Sequence, residues 1–238
     1  MEGFTFLPKF MKYSGLFLVF AIIIIIINVQ LDFTEISDSA REPDFIETCD
    51  RWDSSKWFYE QNRPSVVNGT WIFQFPVGIE KLIHARSIAF FGYGHYKITF
   101  RTSGPRQLGI NYYIFLFNDQ TASGGPYNEL DIPELFGGQT STTMSISTLK
   151  ESKTNNAYRY WQSAINFEDG LTHTWQFNYL QKRLEFYVDG QLSFTWDDDP
   201  TTPKFANPPM YLIIGGSSSG TNKVSWTWYI HQIEYQPS

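Results

Sequence analysis

Three carboxylates fall within six residues, in Glu129-Leu130-Asp131-Ile132-Pro133-Glu134, with apolar residues between them. On a strand, side chains alternate between faces, so Glu129 and Asp131 share one face and Leu130 takes the other. Glu134 is five residues beyond Glu129, and plain alternation puts it on the opposite face. One inserted residue, a β-bulge, returns it to the face of the other two. Pro133 has no N–H to give a ladder and is tolerated at a bulge, so the proline stands where the geometry needs an irregularity. Carboxylates this close raise each other's pKa, and at neutral pH one group tends to keep a proton. An ionised carboxylate beside a protonated carboxyl, about 5–5.5 Å away, is what retaining glycoside hydrolysis requires. A solvated acidic strand face and a metal site are two other readings of the same spacing.

The elements that must carry these acids read as strands. Tyr96 to Arg101 has a period of two, and Gly109 to Phe117 is a longer aromatic strand closed by Asn118-Asp119. Leu184 to Val188, Asp189-Gly190 and Gln191 to Trp196 form a hairpin, with Leu184, Phe186 and Val188 on one face and a two-residue turn suited to positive φ. Met210 to Ile214 is a short apolar run, and Ser225 to Tyr235 alternates with Trp226, Trp228 and Ile230 on one face. Ile79 to Ile88 is ambiguous between strand and helix. Many short strands with Gly and Pro punctuation predict an all-β antiparallel sandwich or barrel over residues 45–238, without internal repeats.

The N-terminus reads differently. Lys9 and Lys12 precede the apolar run Gly15 to Ile27, which ends in six consecutive isoleucines. This is the layout of an export signal, and it is shorter than the roughly 20 residues of a spanning helix. Asn28-Val29-Gln30 offers no small-residue cleavage pattern, so residues 1–31 are either a signal peptide or an uncleaved type II signal-anchor with the lysines inside. Residues 32–44 read as a polar linker. The expected location is extracytoplasmic, either secreted or membrane-anchored through that segment. Lys+Arg number 18 against 24 Asp+Glu, a formal charge of −6, with no basic stripe, and this sets nucleic-acid binding aside. The single cysteine, Cys49, excludes an intrachain disulfide framework and a four-Cys zinc site. Asn68-Gly69-Thr70 is a glycosylation sequon and equally a plain Asn-Gly turn.

The acidic motif resembles the E-x-D-x-x-E signature of family-sixteen glycoside hydrolases in their laminarinase-like, bulge-bearing form. The resemblance covers most of the region after residue 45. Phe90 to Arg101 is similar to the family's F-x-Y-G-x-Y-E-x-R strand, and Asn111 to Asp119 to the strand that precedes the acidic one. Leu171-Thr172-His173-Thr174-Trp175 resembles F-H-x-Y, and Leu184 to Gln191 resembles I-x-F-Y-V-D-G, followed by Pro208 to Leu212. The resemblance implies a concanavalin A-like jelly roll with a cleft on the concave face. It also implies Glu129 as nucleophile, Glu134 as general acid/base and Asp131 as an assisting group between them. Double displacement with retention follows from those roles. No cofactor is required on this reading, and a monomer acting on a polysaccharide is expected.

Sugar faces need aromatic platforms and a few polar groups. Tyr127, two residues before Glu129, is the first candidate, and Asn111, Tyr113, Trp161 and Trp226 are further ones. Core packing accounts equally well for the two tryptophans, and His173 is expected to be structural. The chain departs from the family where many relatives carry N-x-W, since Ile213-Ile214-Gly215-Gly216 stands there. Ser145 and Ser147 stand where some relatives have Asn and Tyr. Asp197-Asp198-Asp199-Pro200 is compatible with a structural calcium, but it reads first as an acidic surface turn. The expected activity is endo-hydrolysis of a β-1,3- or β-1,3/1,4-glucan. A transglycosylase with the same residues is the alternative, and a non-catalytic carbohydrate-binding protein is a second one.

Overall fold

A computed structural model of the chain describes residues 45–238, except positions 124, 126, 141, 151–155, 199–204 and 206–208. The expected export segment 1–31, the linker 32–44, and Asp199 and Pro200 lie outside the described residues. Among those described, no helix is long and apolar enough to cross a membrane.

The chain forms the strands β1 Phe45–Glu47, β2 Trp57–Phe58, β3 Ser65–Val66, β4 Trp71–Phe75, β5 Glu80–Phe91, β6 Gly94–Thr102, β7 Ile110–Asp119 and β8 Tyr127–Phe136. They continue with β9 Thr143–Leu149, β10 Asn156–Gln162, β11 Thr172–Leu180, β12 Arg183–Val188, β13 Gln191–Asp197, β14 Met210–Ser219 and β15 Trp226–Pro237. One sheet runs β13-β12-β11-β6-β15-β4-β3, with β1 also paired to β15, and the other runs β10-β9-β8-β7-β14-β5-β2. Every pairing between described strands is antiparallel. The ambiguous segment Ile79 to Ile88 belongs to β5.

Alternation sets which residues meet between the sheets. Tyr112, Ile114 and Leu116 of β7, and Leu130, Ile132 and Leu135 of β8, are almost fully buried. The other sheet answers with Phe100, Trp175, Trp226 and Trp228, equally buried. The Tyr112 ring lies 4.8 Å from Trp226, 5.0 Å from Trp228 and 5.9 Å from Trp175. Aromatic clusters of this kind bury large apolar area, and edge or offset contacts add to it.

Two turns follow from local chemistry. Asn68 and Gly69 have φ of 50° and 70°, and Val67 N–H donates to Thr70 C=O at 3.0 Å, so the sequon is the two-residue loop of the β3–β4 hairpin. Asp189 and Gly190, at φ 50° and 77°, close β12 to β13 in the same way. The Asp189 carboxylate also accepts from Thr174 N–H at 2.7 Å and shares a 2.7 Å hydrogen bond with His173. His173 is thereby tied to a turn of its own sheet, which is not the sheet that carries β8.

Candidate active site

The three acids stand on β8, on the face turned away from the other sheet. Leu130, Ile132 and Leu135 fill the core beneath them. Toward β7, Glu129 pairs with Phe117, Asp131 with Phe115 and Glu134 with Tyr113; toward β9 their partners are Leu149, Ser147 and Ser145. Between the Asp131 and Glu134 rows, β7 has only Ile114, whereas β8 has Ile132 and Pro133. That extra residue is the bulge, and it puts Glu134 on the face of the other two. The Ile132–Pro133 bond is cis.

Electrostatics then separates the three carboxyls. Burial, with the charges of Glu129 and Glu134 beside it, holds the Asp131 carboxyl well above the usual carboxylate range. The Ser147 hydroxyl donates to Asp131 and opposes that shift only in part. Burial and the Glu129 charge push Glu134 up from 4.5 to about 7. The Tyr127 hydroxyl donates to Glu129 Oε2. The Ser145 hydroxyl is spent on the Glu134 backbone carbonyl at 2.8 Å and leaves the Glu134 side chain alone. Low dielectric and like charge thus favour protons on Asp131 and Glu134 while Glu129 accepts a phenolic O–H. Because these groups interact, they titrate as a set.

Tyr127, Tyr113 and Asn111 share this face. Burial, and then the charge of Glu134, keeps the Tyr113 hydroxyl protonated far above neutrality. Asn111 Oδ1 accepts from Gly137 N–H at 3.3 Å, beside the turn that follows β8.

The two tryptophans do not join the site. Trp226 is 1% exposed, and its indole N–H donates to Gly104 C=O at 2.9 Å inside the sandwich. Trp161 packs against the core, stacks on Phe194 at 4.8 Å and donates to the Ser193 hydroxyl at 3.1 Å. The expectation for Trp226 is corrected to a core position, and Trp161 lies partly buried against the core, because each side chain takes the strand face that the opposing sheet covers.

The sequence reading missed a group on β5 and β14. His84 pairs across from Gly215, and its Nε2 shares a hydrogen bond with the Tyr113 hydroxyl. Burial pushes His84 down to about 4, so the imidazole is neutral at pH 7. A Cβ at Gly215 would stand 2.6 Å from His84 Cδ2, 2.8 Å from Ile83 O and 2.9 Å from Tyr113 Cε2. The missing side chain at Gly215 therefore leaves room for the His84–Tyr113 pair. The Arg86 guanidinium lies 5.0 Å from the Phe58 ring and 4.7 Å from the Tyr211 ring, and Tyr211 in turn stacks on Phe90 at 4.4 Å. Its Nε has no hydrogen-bond partner among the described residues. The alternation Leu82-His84-Arg86 was the available signal, hidden in the segment of ambiguous period.

No group of three or more His, Cys, Asp or Glu is arranged to hold a metal ion among the described residues. In the acidic run considered for calcium, Asp197 accepts from Arg183 Nε at 2.6 Å and Asp198 from Phe205 N–H at 3.3 Å.

The chain is thus a two-sheet antiparallel sandwich with a bulged strand presenting three carboxyls on one face. Residues 54–235 match glycosyl hydrolases family 16, and the chain belongs to that family. It is 31% identical over 121 residues to a beta-glucanase of Bacillus subtilis (strain 168), covering 50% of this chain and 46% of that protein. It is 29% identical over 120 residues to a beta-glucanase of Acetivibrio thermocellus, covering 50% of this chain and 34% of that protein. The match therefore spans between a third and a half of those relatives' length. A solved beta-1,3-1,4-glucanase (lichenase) derived from a mouse hindgut metagenome has the same fold, with a TM-score of 0.66 at 17% identity, over 82% of this chain and 99% of that one. The catalytic domain of an endo-1,3-beta-glucanase (laminarinase) from Thermotoga petrophila RKU-1 gives 0.65 at 16%, over 82% and 97%. A Crh5 transglycosylase in complex with NAG gives 0.64 at 14%, over 82% and 84%.

Proposed function

We propose that this chain is a retaining endo-β-glycosidase acting on a β-1,3- or β-1,3/1,4-glucan by double displacement. The observation that carries the reading is the splitting of the carboxyls on one strand face, with Glu134 raised to about 7 beside Glu129. Glu129 attacks the anomeric carbon while Glu134 gives its proton to the departing glycosidic oxygen, so the C–O bond breaks and a glycosyl ester forms on Glu129. Glu134, now ionised, takes a proton from water. That water opens the ester and restores both groups, and two inversions leave net retention. Asp131, buried and hydrogen-bonded by Ser147, holds Glu129 and assists its departure from the sugar. The relatives named beta-glucanases support the substrate class.

A panel of laminarin, lichenan, agar, carrageenan and xyloglucan, read by new reducing ends, tests substrate and activity together. NMR of the first-formed anomer tests the stereochemistry, and an inverted first product sinks the mechanism. Transglycosylation uses the same ester but resolves it with a sugar hydroxyl, and that fold also serves a protein named a transglycosylase. Products longer than the starting oligosaccharide would favour that outcome over hydrolysis. We also propose that residues 1–31 direct export, cleaved or as an anchor; the N-terminal residue of the protein recovered from an expressing cell decides between the two.

A further inference from the structure

The rows that carry the acids continue to the edge of the sheet. Tyr160 on β10 pairs with Ser145, which pairs with Glu134; Tyr158 pairs with Ser147, which pairs with Asp131. Two strand spacings, roughly 10 Å, separate these tyrosines from β8. Their neighbours fix the face they take. Ala157 and Trp161 pack against the core, and Arg159 lies over Trp196 at 4.9 Å, so Tyr158 and Tyr160 stand on the face of the acids. They are 50% and 64% exposed.

Between them and the acids the side chains are short, and Ser145 and Ser147 are only 3% and 4% exposed. Ser145 and Ser147 are small, and their hydroxyls are turned to the Glu134 carbonyl and the Asp131 carboxylate. Edge strands are commonly blunted with charge or proline on exposed positions. Here the two positions facing the acid side carry large rings, which offer rigid apolar area with a polar tip.

We infer that Tyr158 and Tyr160 form a carbohydrate platform that holds pyranose rings of the polysaccharide at a distance from the bond being cleaved. This rests on the glycosidase reading above. A polymer lying along the rows crosses from the acids over the two serines to the tyrosines, a span of about one disaccharide. Its apolar C–H faces rest on the phenol rings there, and its hydroxyls stay in water.

The test uses the full chain and two substrate lengths. Hexasaccharides of β-1,3- and β-1,3/1,4-linked glucose are compared with an aryl β-glucoside, whose single sugar ring is too short to bridge from the acids to β10. The Tyr158→Ala/Tyr160→Ala double variant should lower the ratio of kcat/KM on the long substrate to that on the short one about tenfold, the effect of one well-buried aromatic contact. The Tyr158→Phe/Tyr160→Phe variant, which keeps both rings, should restore the ratio. An unchanged ratio in the alanine variant overturns the platform, and so does a phenylalanine variant as impaired as the alanine one. Wild-type protein that cleaves none of these substrates fails the glycosidase reading itself, and the platform falls with it.

Discussion

In the proposed mechanism, three carboxyls on one strand do different work because their surroundings differ. Glu129→Gln removes the attacking oxygen and should lower turnover by about 10³-fold or more, with the fold retained. Glu134→Gln removes the proton donor, worth about 10²–10⁴-fold on natural linkages, and should cost far less on activated aryl glycosides. Asp131→Asn keeps the Ser147 contact and should cost less than either; a rate series on both substrate types checks this ordering. The pH dependence follows from Glu134. Its pKa is raised from 4.5 to about 7, so the proton donor is present below pH 7 and lost as pH rises through it. The alkaline limb of kcat/KM should have its midpoint near 7, and a rate flat from pH 6 to 9 would contradict the assignment. The same shift makes the ionised group a burden on the fold. That burden is absent below about 4.5 and grows until about 7. Glu134→Gln should therefore raise Tm by about 5 °C at pH 8 and hardly at all at pH 4, which calorimetry at the two pH values measures.

Strand β8 owes its usefulness to what holds its ends and its neighbours. Arg106, between β6 and β7, is fully buried and pairs with Glu168 at 2.8 Å. It also donates to the carbonyls of Phe136 at 2.8 Å and of Thr140 and Thr143 at 2.7 Å, binding the end of β8 to the start of β9. The Tyr112 hydroxyl completes the set by donating to Glu168 at 2.5 Å. Arg106→Met leaves Glu168 buried without its cation and should cost about 3–5 kcal/mol in urea unfolding. On β14, Gly215 makes room for His84 and Tyr113. Gly215→Ala drives a methyl against the Ile83 carbonyl, which belongs to the neighbouring strand and cannot swing away. It should cost about 1–3 kcal/mol and disturb Tyr113, hence Glu134, before it disturbs any other row.

The sandwich closes over its single cysteine. Cys49 is 0% exposed, and burial pushes its thiol well above the usual range. Glu47, two residues before it, accepts from Cys49 N–H at 3.0 Å and from Trp57 Nε1 at 2.9 Å, tying β1 to β2. Because β1 pairs with β15 and β2 with β5, this corner joins the edges of both sheets. Labelling of Cys49 by a disulfide reagent should be slow in the native protein and should accelerate with denaturant in parallel with loss of tryptophan burial. Rapid labelling in the absence of denaturant would mean that the corner opens independently of the core.

Strand identity, the Asn68-Gly69 and Asp189-Gly190 turns, and the common face of Leu184, Phe186 and Val188 were legible in the sequence, because alternation and turn chemistry are set by neighbours along the chain. So was the need for one extra residue at Pro133 if three acids were to share a face. Alternation does not say which of two faces the other sheet covers when both carry aromatics. On β10, Trp161 took the covered face and Tyr158 and Tyr160 the open one; on β15, Trp226 went under the same cover. The Arg106–Glu168 pair and the His84–Tyr113 contact join residues 62 and 29 positions apart. No local pattern encodes such pairs. The His84–Tyr113 contact exists because one sheet brings β5, β14 and β7 side by side, and the Arg106–Glu168 pair because the segments before β7 and before β11 meet at the end of β8; burial then makes a charge keep its partner and leaves an imidazole neutral.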